Sequence, residues 1–77
     1  VNTAEAWTVI VGVLKADAPP STLVHYLPKL ACTGIERNTV IVTASTRHAA
    51  SFLRRKYGSA LNDAFQRRGL NGIEVRG

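Results

Sequence analysis

Between Arg47 and Arg68 the chain carries six basic residues, Arg47, Arg54, Arg55, Lys56, Arg67 and Arg68, against one acid, Asp63. Guanidinium and ammonium groups without matching carboxylates attract anions. The phosphates of nucleic acid lead that class, because each phosphate neutralised releases condensed counterions. Arg47, Arg54, Arg55 and Lys56 are the candidates to contact successive phosphates of a single strand. The stretch that holds them, "STRHAASFLRRKYGSALNDAFQRR", is also an amphipathic helix, and every such helix needs a solvated polar face. A merely solvated face mixes both signs. This one does not.

Other chemistry is thin. His25 and His48 lie in different segments without metal-ligand spacing, so no metal and no cofactor is expected. No Ser/His/Asp order, carboxylate pair or phosphate-binding loop can be assembled, and the chain reads as a non-enzyme. "GLNG", residues 69–72, matches the GxxG that clamps nucleotides in KH domains. There the loop joins two helices, whereas here it links a helix to a strand, so turn chemistry accounts for it better. The single cysteine, Cys32, has no internal partner and reads as a buried small hydrophobe in a reducing compartment.

Charge is divided along the chain. The formal net charge is +5. Residues 1–46 sum to zero, and residues 47–77, with seven basic groups against Asp63 and Glu74, carry all of it. That asymmetry points to an anionic partner for the C-terminal half. At 77 residues, 45% of them hydrophobic, the chain is read as one globular domain, cut from a longer protein at Val1 and Gly77. No apolar run approaches the ~20 residues that span a bilayer, and no signal peptide is evident. A cytoplasmic location is expected.

The elements that must position these residues follow from periodicity and caps. Trp7, Ile10, Val11 and Leu14 share a helical face, with Thr3 as the expected N-cap. "DAPPST" breaks that helix, and Ser21 or Thr22 is expected to cap a short second one reaching Leu27. "LACTGIERNTVIVTAS" reads as a hairpin with strands 30–35 and 39–44 and a turn at Glu36-Arg37-Asn38. Ser45 or Thr46 then caps the long helix. Its stripe of Ala49, Ala50, Phe52, Leu53, Tyr57, Ala60, Leu61, Ala64 and Phe65 is the expected core wall, with Arg47, Ser51, Arg54, Arg55, Gly58 and Asn62 on the other side. Gly69 ends the helix, and "GIEVR" forms a last strand. Gly58 marks either a close backbone approach or a kink. The order is α-α-β-β-α-β, an α+β domain with a three-stranded sheet covered by helices on one side.

Together, Trp7, "LVHYLPKL", "IERNTVIVTAS" and "AASFLRRKYGSALNDAF" make the chain resemble domain I of the bacterial replication initiator DnaA. The family pattern of Trp, helical aromatic, strand-opening Asn-Thr, aromatic and basic-Tyr pair falls on Trp7, Tyr26, Asn38-Thr39, Phe52 and Lys56-Tyr57. The resemblance implies a KH-like module that docks the replicative helicase and initiation regulators, self-associates weakly and has weak affinity for single-stranded DNA. It places self-association at Trp7, and with the net-neutral first half of the chain it implies partner docking through the first two helices, where Tyr26 is a further contact candidate. Family positions that contact the helicase fall on Thr22 and His48, where an acid and an aromatic are usual. Similar small modules include the polymerase-binding domain of the clamp-loader tau subunit and the DciA helicase operators; a phage or plasmid initiator is a further alternative.

Overall fold

The computed structural model describes residues 2–77, and its architecture is the expected α+β arrangement. Helix α1 runs Thr3–Asp17, α2 Pro20–Tyr26, and a 3-10 turn Leu27–Lys29 leads into β1, Leu30–Glu36. Strand β2 is Thr39–Ala44, α3 is Arg47–Gln66 and β3 is Gly72–Arg76. The sheet order is β1-β2-β3, with β1 antiparallel and β3 parallel to the central β2. A parallel neighbour requires a crossover, and α3 supplies it.

Several boundaries differ from expectation for local reasons. Asn2, not Thr3, caps α1: its Oδ1 accepts from the Glu5 amide at 2.9 Å. The buried seam of α1 is Ala6, Ile10 and Leu14, so Trp7 lies beside it, half-buried. Neither Ser21 nor Thr22 caps α2. Pro19 occupies the cap and Pro20 the first helical position, where a missing N–H loses nothing. The hairpin turn is two residues, not three. Arg37 and Asn38 both take left-handed φ, 51° and 62°, which matches the twist of the flanking strands.

On β2, Val40, Val42 and Ala44 face the helices and join Ile10, Leu14, Leu53, Leu61 and Phe65 in one buried cluster. Ile41 points to the opposite face yet is only 3% exposed. Across that face Arg76 of β3 binds Glu74 and reaches Glu36 of β1 at 3.7 Å. An extra residue, Thr33, bulges from β1 between Cys32 and Gly34.

The end of α3 is built by its glycine. Leu70 N–H donates to Phe65 O at 3.0 Å and Gly69 N–H to Gln66 O at 3.1 Å, a Schellman motif with Gly69 at φ +83°. Asn71 then ties this loop to the hairpin, donating from its backbone to Asn38 O at 2.7 Å and from its side chain to Arg37 O at 2.9 Å. The "GLNG" segment is therefore occupied by turn and anchoring bonds. Gly58 has nothing within 4 Å of where a Cβ would sit, so no backbone approaches it. Asn62 and Arg54, expected on a solvated side, reach β3: Asn62 Oδ1 accepts from Ile73 N–H at 2.8 Å, and Arg54 Nη2 donates to Val75 O at 3.3 Å.

Candidate functional site

The densest cluster of polar and aromatic side chains lies at the corner between α2 and the first half of α3. His48, Phe52, Arg55 and Lys56 fall four, three and one residues apart along α3, which puts them on one stripe of its surface. Tyr26, the last residue of α2, is laid against that stripe. Its ring stacks on Phe52 with centroids 4.0 Å apart and planes 3° from parallel. Its hydroxyl and His48 Nε2 are hydrogen-bonded at 2.9 Å. Either atom can be the donor, according to the imidazole tautomer.

Around this pair the cations gather. The Lys29 ammonium lies over the Tyr26 ring, 5.9 Å from its centre, and also donates to His25 Nε2 at 3.4 Å. His25 meets the same ring edge-on at 4.8 Å. Tyr26, His48, Phe52, Arg55 and Lys56 line a shallow groove of about 550 Å³. Among the described residues the ion pairs involve only Arg67 and Arg76, so Arg55 and Lys56 stand exposed and uncompensated.

α2 itself has no buried residue. Leu23 and Tyr26 of α2 pack against the edge of the core, as does the half-buried Phe52, and the Tyr26–Phe52 stack joins α2 to α3. Phe52 is thus the core residue expected only in part, and Ala60, expected in the same wall, is exposed. Tyr57, the neighbouring aromatic, is buried, and it meets Phe52 edge-on at 5.7 Å. Burial pushes the Tyr57 phenol above its ordinary value, and the Asp17 carboxylate beside it adds to the shift.

The remaining candidates do not converge on this corner. Thr22 is half-buried on α2, outside the groove lining. Trp7 lines a separate cleft with Thr3, Ala4, Leu30, Ala31 and Cys32. Burial there raises the Cys32 thiol, partly offset by a hydrogen bond from the Gly34 backbone. Arg47 is exposed in the first turn of α3, and Arg54 is turned to β3. The four basic candidates thus divide, with Arg55 and Lys56 at the groove and the other two elsewhere.

Two participants were absent from the sequence reading, Phe52 as a surface ring and Lys29. The spacing of His48, Phe52 and Lys56 at i, i+4 and i+8 is a signal for the first. Lys29 has none, since its place depends on the 3-10 turn. No group of three or more metal-ligating side chains forms among the described residues, and no helix there is long and apolar enough to cross a membrane. Compared with protein-family models, curated proteins and solved structures, the chain matches none.

Proposed function

We propose that this chain is a non-enzymatic protein-interaction module that docks a partner through the α2–α3 corner. The observation that carries the reading is the half-exposed Tyr26–Phe52 stack, bonded to His48 and rimmed by unpaired cations. Aromatic side chains offer large contact area at little entropic cost, and with arginine they dominate the energetics of protein interfaces. Two residues of the corner, Tyr26 and His48, are also positions where the resemblance to DnaA domain I implies partner contact. On that resemblance the partners are bacterial replication proteins (the helicase, initiation regulators or a polymerase subunit), the compartment is the cytoplasm, and weak self-association through Trp7 accompanies docking. An NMR titration of the chain with replicative helicase tests this. The expected outcome is amide shifts concentrated at Tyr26, His48 and Phe52; shifts confined to other surfaces, or none with helicase and regulators alike, refute it.

The second reading is weak, salt-dependent binding of single-stranded DNA. The free cations Arg55 and Lys56 favour it, and the sequence pattern adds Arg47 and Arg54. It predicts affinity falling steeply with salt and equally for all sequences when Arg54 and Arg55 are replaced by alanine.

A further inference from the structure

We propose that the groove at the α2–α3 corner receives an acidic segment of a partner protein, one that brings a carboxylate to Arg55 and Lys56 and an apolar side chain to the Phe52 edge. The inference rests on the reading of this corner as a docking surface and names the chemistry of what docks.

Charge complementarity supports it first. Every ionisable group lining the groove is a base, a phenol or an imidazole, with no carboxylate among them. Lys29, over the Tyr26 ring, adds another cation beside it. Arg55 offers a planar fork and Lys56 a point charge, the two donor types that carboxylates take up.

The rings decide between a protein and a nucleic acid. Base stacking needs a free aromatic face. Phe52 covers one face of Tyr26 at 4.0 Å, and the Lys29 ammonium already sits over that ring. Phe52 has Tyr26 on its face and Tyr57 edge-on at 5.7 Å. With the two rings engaged with each other, the part of the stack left exposed suits an aliphatic or aromatic side chain. A nucleic-acid backbone also needs a continuous run of cations. Beyond Lys56 the neighbouring cleft between α1 and α3 carries Asp17 and Asp63 among Arg67 and Arg68, and Asp63 already pairs with Arg67 at 3.0 Å. The basic track is short, as a short acidic segment requires.

Random-peptide display on the immobilised chain tests the proposal. The enriched peptides are then measured against Phe52→Ala, Arg55→Glu and Lys56→Glu, with oligothymidylate as a parallel ligand. Arg55 and Lys56 are exposed, so their reversal leaves the fold intact even where Phe52→Ala disturbs it. The expected result is enrichment of peptides rich in Asp or Glu that carry a leucine or aromatic. Their affinity falls about tenfold or more in each charge reversal, as for loss of one charge-assisted hydrogen bond. Enrichment of neutral peptides that bind the corner and ignore the charge reversals overturns the acidic chemistry while the docking surface stands. Peptides that bind independently of all three substitutions, or oligothymidylate alone responding to them, overturn both.

Discussion

Replacing Tyr26 and Phe52 by alanine, singly and together, measures how firmly α2 is fastened to the domain. Truncating a fully buried phenylalanine costs about 3–5 kcal/mol, so a half-buried ring is expected to cost about 2 kcal/mol. Tyr26→Ala loses similar area together with the hydrogen bond to His48, an exposed contact worth about 0.5 kcal/mol. The coupling between the rings follows from their geometry. Centroids 4.0 Å apart in nearly parallel planes leave a lateral offset of at most about 2 Å if the planes are ~3.5 Å apart, the optimal carbon–carbon contact. Such a stack contributes about 1 kcal/mol beyond area, the middle of the range for aromatic pairs. The double variant is therefore expected to lose about 3.5 kcal/mol rather than 4.5, with coupling of about 1 kcal/mol. In thermal unfolding that coupling corresponds to roughly 4–8 °C for a domain of this size. Urea titrations of the four proteins provide the assay, with the m-value held as the check that the denatured state is unchanged. Additivity of the two losses within about 0.3 kcal/mol would refute the reasoning, because it would mean that α2 does not depend on the stack.

The glycines of α3 separate by backbone conformation. Gly58→Ala, with open space around the new methyl, is expected to raise stability by about 1 kcal/mol. Gly69→Ala, at φ +83°, is expected to lower it by about 1 kcal/mol; urea midpoints of both variants check this. Alkaline pH should weaken the fold through Tyr57. Its folded-state value lies above the ordinary 10.0, so its contribution is fully present below the unfolded value and is lost as pH rises through the folded one. Unfolding curves on either side of pH 10 should show a steeper alkaline loss for the native chain than for Tyr57→Phe, and equal slopes would contradict the burial argument.

Most of the fold was legible because its signals are local. The alternation of Val40, Val42 and Ala44 marks a strand with one buried face, Thr46 and Gly69 bracket α3, and the prolines separate α1 from α2. The misreadings come where a tertiary neighbour decides. Phe52 sits at the margin of the α3 stripe, and a marginal position is covered or open according to what lies over it. Tyr26, twenty-six residues earlier in the chain, stacks on it. Arg54 and Asn62 look like solvent residues on a helical wheel, yet the return of β3 alongside β2 brings peptide groups within their reach. The two-residue turn was missed because Arg37 carries no glycine-like signature and still adopts left-handed φ. For the site, the cations were visible in the sequence, but their division between two sides of α3 was not.

That division bears on why α3 begins as it does. A helix N-terminus holds a partial positive charge, so acids belong in its first turn and bases in its last. α3 has no acid in its first turn, where Arg47 stands instead, while just past its end Arg68 Nη1 donates to Ala64 O at 2.9 Å. A cation so placed costs about 0.3–1 kcal/mol when exposed at low ionic strength. The Thr46 cap, accepting from Ala49 N–H at 3.1 Å, offsets part of that cost. Phe52, Arg55 and Lys56 continue the stripe that His48 begins, so the N-terminal end of α3 lies at one end of the proposed groove, with Arg47 outside its lining. A carboxylate brought to that groove would meet the helix dipole and the cations with the same sign of attraction. The local charge arrangement of α3 is thus unfavourable for the isolated helix and favourable for an acidic ligand, as expected where a surface is shaped by what it binds.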